Sequence, residues 1–430
     1  MNVYSKPSRG SWSELSERPQ LELGFLESSV RNIMNRVRNS GDEALLEITQ
    51  QFDKVALTSL EVTKAELNEA DALLTESLKS AIRTAAENIH KFHSAQRRDT
   101  LKIETTPGVS CWRKGVPIEK VGIYIPGGSA PLFSTVLMLG IPATLAGCRE
   151  VVLCTPPDKS GKINPAILFA ASHVGVTRIF KVGGAQAIAA LAYGTATIPS
   201  VYKIFGPGNQ YVTKAKQLVL EDGIAIDMPA GPSEVLVIAD KSANSSFVAA
   251  DLLSQAEHGE DSQVILVVTD QSLISSVQKE IDEQLRSLPR KSIAEKALAH
   301  SRAIFFDNKV DMLDFVNEYA PEHLIINTED CLSLADKIVN AGSVFLGNYS
   351  PEAIGDYASG TNHTLPTNGF AKSYAGVSLE SFMKFITYQQ VTQDGLRKLG
   401  PVVEEMAEAE QLMAHKKAIS VRLEQIGIAK

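Results

Sequence analysis

Val121-Gly122-Ile123-Tyr124-Ile125-Pro126-Gly127-Gly128 is a short apolar run that ends on a proline and two glycines. The same grammar recurs downstream. Residues 151–154 precede Pro156-Pro157, 178–182 precede Gly183-Gly184, and 203–205 precede Gly206-Pro207-Gly208-Asn209. Residues 224–227 precede Met228-Pro229-Ala230-Gly231-Pro232-Ser233-Glu234. Stretches of helical character lie between. Strands with no polar face are buried on both sides, and helices between them supply the crossovers. The pattern therefore predicts a mostly parallel sheet wound on both faces.

The alternation resumes with a strand over 234–239, a helix over 245–257, a strand over 263–269 and a helix around 272–286. Further strands are expected at 302–306, 324–327 and 343–346, which makes a second parallel-sheet unit. Upstream, residues 28–96 read as helical and are assigned to that second-sheet unit. Val30, Ile33, Met34 and Val37 have helical spacing, and Thr63-Lys64-Ala65-Glu66 has the form of a capping box. After a glycine-rich segment, 355–376, the chain is expected to end in helices, the last over about 401–425.

At 430 residues the chain is too long for one ordinary core. Its 44% hydrophobic content and mean hydropathy of −0.02 are those of a soluble globular protein. The net charge of −8, with no block of Lys or Arg, makes nucleic acid and anionic membrane poor partners. No apolar run approaches the roughly 20 residues of a membrane span, and residues 1–20 lack the apolar core of a signal peptide. A cytoplasmic location is the expectation. The four cysteines contain no CxxC, which argues against a disulfide framework or a thiolate zinc site.

Four groups of residues have the chemistry of a site. In Ser254-Gln255-Ala256-Glu257-His258-Gly259, Gln255 and His258 fall three apart on one helix face, with Gly259 in the place of a C-terminal cap. On spacing alone they read as a surface helix cap sooner than as ligands of one ion. Glu322-His323 follows Pro321 and precedes an apolar strand. Neighbours on an extended strand point to opposite faces, so cooperation as acid and base requires a turn there. Asp356 stands in a long polar loop, and His415 at the edge of an apolar stripe in the last helix. His90 and His93 have ligand spacing but lie among Lys91, Arg97 and Arg98, and read as a solvated face. No G-x-G-x-x-G follows a strand, although Gly206-Pro207-Gly208-Asn209 offers backbone N–H groups to a phosphate.

Taken together these residues resemble the histidinol dehydrogenase family over essentially the whole chain. The likeness rests on Tyr124 to Leu132, Gly183-Gly184-Ala185-Gln186-Ala187-Ile188, Phe205-Gly206-Pro207-Gly208-Asn209 and the block from Ile226 through His258. Tyr319-Ala320-Pro321-Glu322-His323-Leu324, Gly355-Asp356-Tyr357 and the Glu410/His415 spacing complete it. The resemblance implies a homodimeric, zinc-dependent, NAD-linked enzyme. It would oxidise L-histidinol to L-histidine through an enzyme-held aldehyde, the last step of histidine biosynthesis.

By the same resemblance Gln255, His258, Asp356 and His415 become zinc ligands, and Glu322 and His323 the catalytic pair. Tyr124, Gln186 and Asn209 become NAD contacts. Ser233 and Glu410 line the substrate pocket beside His323 and the ligands. The C-terminal segment would reach the neighbouring subunit and carry His415 and Glu410 into its site. The donor set of two imidazoles, a carboxylate and an amide suits a catalytic zinc with open positions.

The expected architecture is α/β, with two Rossmann-like, incomplete parallel-sheet domains, a helical N-terminal arm and a helical C-terminal dimerisation tail. The expected bounds are 1–24 for the arm and 25–120 plus 235–377 for a first domain carrying most of the zinc and catalytic site. A second, NAD-side domain would take 121–234, and the tail 378–430. Rival readings are a related zinc- and NAD-dependent alcohol dehydrogenase, a zinc hydrolase using Glu322, and a zinc-stabilised dimerisation protein. A cysteine-dependent aldehyde dehydrogenase is disfavoured, because Cys148 and Cys154 flank an apolar strand and read as small core residues.

Overall fold

The computed structural model describes residues 1–19, 24–127 and 130–427. Residues 20–23 of the expected arm, and Gly128 and Ser129 of the first quoted motif, lie outside the described residues. Two compact units emerge. One comprises Met1–Gln96 and Ile118–Phe382; the other comprises Arg97–Pro117 and the chain from Met383 onward.

The larger unit holds both predicted parallel sheets. The five-stranded sheet runs Arg178–Lys181, Glu150–Thr155, Lys120–Tyr124, Lys203–Phe205, Ala225–Ile226 in spatial order. All of its pairings are parallel. The six-stranded sheet runs Asn2–Ser5, Arg302–Phe305, Gln263–Val268, Glu234–Ala239, His323–Asn327, Ser343–Leu346, again wholly parallel. Its central strand, Glu234–Ala239, is buried at every residue. Val235 and Val237 pack on one side with Leu252 and Val277, while Leu236 and Ile238 pack on the other with Phe315 and Trp12. That two-residue alternation buries both faces, which explains the continuous apolar run.

Three expectations about the flanks are corrected. The N-terminal segment is not a helical arm. Asn2–Ser5 is an edge strand aligned on Arg302–Phe305, and among the described residues 1–19 helix enters only as the short turns Arg9–Ser11 and Trp12–Leu15. Four residues are too few for a two-residue period to register in the sequence.

The helices expected to join the six-stranded sheet instead cover the five-stranded one. Val30, Val37, Leu45 and Ile48 of helix Gly24–Phe52 pack with Ile188, Leu191 and Ile204. Ile82 and Ile89 of helix Glu76–Ser94 pack with Leu137, Leu139 and Ile167 on its other side. An apolar stripe says that a helix is covered, not by which sheet.

The C-terminal segment is not wholly helical. In the smaller unit Met383–Val391 pairs antiparallel with Val109–Pro117, itself paired with Lys102–Thr106, before helices Gln393–Ala409 and Met413–Gln425. Among the described residues no helix is long and apolar enough to cross a membrane.

Candidate active site

His323 opens the strand His323–Asn327, directly after a helix end. Helix Lys309–Tyr319 stops because Ala320 takes a left-handed conformation (φ 54°) and Pro321 cannot continue it. That corner supplies the turn the catalytic pair required. The Glu322 Oε2 atom lies 3.6 Å from His323 Nδ1, and it accepts a 2.9 Å hydrogen bond from the Glu234 N–H on the neighbouring strand.

The polar loop after Ser343–Leu346 contains a short helix, Glu352–Tyr357. Its spacing of four places Glu352 and Asp356 on one face, and both reach the same imidazole. Glu352 Oε1 lies 3.8 Å from His323 Nδ1, and Asp356 Oδ1 lies 3.5 Å from His323 Nε2. Burial alone would lower the proton affinity of His323, but Glu352, Glu322 and Asp356 overcome it and raise it well above the usual value. Burial pushes the Glu322 carboxyl up to about 8, with His323 working against it. Glu352 is likewise pushed up to about 8. Asp356 goes the other way: burial opposes its ionisation, but the contact with His323, reinforced by His363 and His258, holds it below the usual range.

The helix Ser245–Ala256 faces this cluster. Gln255 is 1% exposed, yet neither its amide oxygen nor its amide nitrogen has a hydrogen-bond partner. Asp356 Oδ1 and His323 Nε2 are also buried without one. Leaving buried polar atoms unmet costs about 1–3 kcal/mol each, so such a group of them marks a place built for a ligand. His258 is exposed, just beyond the helix, and its Nδ1 is held 2.9 Å from the Ser254 carbonyl. That bond commits Nδ1 as the donor and turns the Nε2 lone pair outward, the arrangement a metal-ligating histidine uses. Gly259 does not adopt the left-handed cap conformation expected of it. The donor chemistry of Gln255, His258 and Asp356 thus fits a zinc ion. A second possible set, His323, Glu352 and Asp356, offers atoms within 4.8 Å of one another.

Ser233, half-buried, immediately precedes Glu234 and the central strand. Glu410 and His415 belong to the smaller unit. Glu410 caps helix Gln393–Ala409, His415 lies in helix Met413–Gln425, and both are exposed.

Tyr124, Gln186 and Asn209 come together elsewhere in the larger unit, lining a cavity of about 940 Å³. Each lies at or just beyond the carboxyl end of a strand of the five-stranded sheet, where open α/β folds bind their ligands. The Tyr124 hydroxyl accepts a 3.0 Å hydrogen bond from the Gly184 N–H, and burial pushes its ionisation up to about 12. Asn209 caps helix Gln210–Glu221 through its amide oxygen, which leaves the amide N–H groups for other partners. The loop before it is clamped: Asp227 accepts from the Gly206 N–H at 2.8 Å, and Lys216 donates to the Gly206 carbonyl at 2.8 Å.

Gly206 has φ 127°, and a Cβ there would run into the Tyr124 carbonyl. Gly206→Ala is expected to destabilise the protein by about 3 kcal/mol. The check is a lower urea midpoint at unchanged slope; an unmoved midpoint would contradict this close approach.

Sequence reasoning missed Glu352, Asp251 and Asp53, and misread His93. Glu352 and Asp251 were overlooked, although each stands four residues before a named candidate, on the same helix face. Asp251 is buried and its carboxyl is pushed up to about 7. His363 is held by Asp356 O at 2.8 Å and Thr135 Oγ1 at 3.0 Å. Asp53, just beyond the end of helix Gly24–Phe52, also lines the cavity. His93 is fully buried rather than solvated, with Nε2 3.4 Å from the Asn362 amide nitrogen; only His90 is exposed.

The histidinol dehydrogenase family profile matches residues 16–423. Histidinol dehydrogenase of Bacteroides fragilis (strain YCH46) is 60% identical over 426 residues, which are 99% of this chain and 100% of that one. The chloroplastic histidinol dehydrogenase of Arabidopsis thaliana is 51% identical over 98% of this chain and 91% of its own. The crystal structure of histidinol dehydrogenase from Elizabethkingia anophelis superposes with a TM-score of 0.97 at 56% identity, covering 99% of this chain and 98% of that one. The chain belongs to the histidinol dehydrogenase family of NAD-dependent oxidoreductases.

Proposed function

We propose that this chain carries out the four-electron oxidation of L-histidinol to L-histidine through L-histidinaldehyde, reducing two NAD+, as the last step of histidine biosynthesis. The working form is a cytoplasmic homodimer with one zinc per subunit. Gln255, His258 and Asp356 would hold the ion, with His415 supplied by the second copy. Bound there, zinc would template the substrate's imidazole and amino nitrogens, and its charge would lower the proton affinity of the groups around it. Ser233 and Glu410 would hold the polar ends of the substrate. Tyr124, Gln186 and Asn209 would hold NAD.

His323 accepts the alcohol proton while hydride leaves the carbinol carbon for the nicotinamide, giving the aldehyde. Glu322 then accepts a proton from a water that attacks the aldehyde carbon, and the hydrate releases the second hydride to a second NAD+. Fixing the carbinol carbon against His323 converts these encounters into intramolecular steps.

The observation that carries the reading is the fully buried Gln255 amide with both of its polar atoms unmet, on the helix that faces Asp356 and His323. An apolar core has no use for such a residue, whereas a donor set does. The test is to count NADH formed per histidinol, with and without a chelator. Two NADH per substrate, lost on chelation and restored by zinc, is the expected result. One per substrate, or chelator-resistant turnover, would refute the scheme.

A further inference from the structure

A buried cation from the N-terminal segment stands behind the catalytic pair. The Arg18 side chain is 11% exposed and its partner Glu234 only 1%. Arg18 Nε donates to Glu234 Oε2 at 2.8 Å and Nη2 to Oε1 at 3.1 Å. Nη2 also donates to the Tyr319 carbonyl at 2.5 Å, and Nη1 to the Ser16 carbonyl at 3.1 Å. The guanidinium lies 3.8 Å over the Tyr319 ring, whose hydroxyl is 2.9 Å from Gln263 Oε1 and 3.3 Å from Glu234 Oε2.

One planar group therefore joins the first residue of the central strand to the helix end that leads into Pro321, Glu322 and His323. The Glu234 backbone touches both catalytic groups. Its N–H donates to Glu322 Oε2 at 2.9 Å, and its carbonyl lies 3.4 Å from His323 Nδ1. A buried ion pair is a poor source of stability, because desolvation offsets most of its attraction. Its use is geometric, since a rigid bidentate fork fixes two backbone pieces relative to each other.

We propose that Arg18 is a positioning residue: by gripping Glu234 and the Tyr319 carbonyl it holds the Glu234 peptide where it orients Glu322 and His323 for proton transfer. The inference rests on the roles proposed above for those two residues.

The test uses the full-length, zinc-loaded enzyme and the charge-balanced variant Arg18→Met/Glu234→Gln, which leaves no unpaired buried charge. Melting temperature, zinc content, kcat and KM are measured, and the change is repeated in a Glu322→Gln background. The expected variant melts near the parent and keeps its zinc and KM, while kcat falls about 10–100-fold, the cost of a displacement on the order of an ångström. In the Glu322→Gln background the same change costs less than it does in the parent, because one of the two groups being oriented is already gone. Arg18→Lys recovers only part of the loss, since an ammonium cannot fork.

Parental kcat in the folded, charge-balanced variant would overturn the inference, as would full additivity with Glu322→Gln. Should the charge-balanced variant not fold, Arg18→Lys decides: reduced kcat at unchanged KM and zinc supports the inference, and parental kcat overturns it. Absence of NADH from the parent with histidinol would overturn the functional reading and this inference together.

Discussion

His323→Asn is expected to lower kcat by roughly 10³-fold, the middle of the range for a positioned base, while leaving zinc content and NAD binding unchanged. Asparagine keeps much of the side chain's shape and hydrogen-bonding capacity but cannot take the alcohol proton. The substitution removes the imidazole that Glu322, Glu352 and Asp356 all approach. Unpaired buried carboxylates would ordinarily unfold the region. Here burial already pushes the Glu322 and Glu352 carboxyls up to about 8, so without His323 to oppose that shift they take up protons instead of standing as bare charges. The variant should therefore fold, and its defect should be kinetic. Metal analysis discriminates between the two donor sets. Zinc retained at the parental level agrees with Gln255, His258 and Asp356 as ligands. Zinc lost with His323 would shift the ion to the His323, Glu352 and Asp356 set and refute His323 as the base.

How far the sequence went is best judged element by element. The strand over 234–239 was readable because six consecutive buried residues of a central parallel strand leave no polar alternation to confuse the pattern. The glycine loops after the strands were readable for a related reason. At Gly206 a side chain would collide with Tyr124, so the residue type reports the geometry directly. The edge strand Asn2–Ser5 was not legible, since its partner, Arg302–Phe305, lies some 300 residues away and its own pattern is only four residues long. Met383–Val391 was hidden similarly: its nine residues gain strand character by pairing with Val109–Pro117.

Within the candidate site, Glu322 and His323 could be named as a pair, but their cooperation could not. It depends on the left-handed Ala320, which no residue preference announces for alanine. Glu352 and Asp251 needed only the four-residue spacing from Asp356 and Gln255 to be noticed. Arg18 had no sequence signal, because its meaning comes from Glu234 and Tyr319, each distant in the chain.

The second large effect concerns two proposed ligands that lie in different units, His258 and His415. Under the proposed dimer each zinc takes Gln255, His258 and Asp356 from one chain and His415 from the other. His258→Ala and His415→Ala should each abolish turnover alone, since either removes an imidazole from every site. Mixed within one dimer, they should complement. The site built on the His415→Ala chain retains its own His258 and receives an intact His415 from the other subunit. The opposite site lacks both. Random pairing of equal amounts makes half the dimers mixed, each with one working site, so about one quarter of parental activity should return in a two-fold symmetric assembly. The measurement is the activity of the unfractionated co-expressed mixture, and the zinc content of its doubly tagged heterodimers, against each homodimer. If every chain used its own His415, both sites of the heterodimer would stay broken and nothing would return. Recovery near one quarter, with zinc rising to one ion per heterodimer, requires that a ligand cross between subunits, and it would also explain why a histidine on an exposed helical face belongs to the donor set.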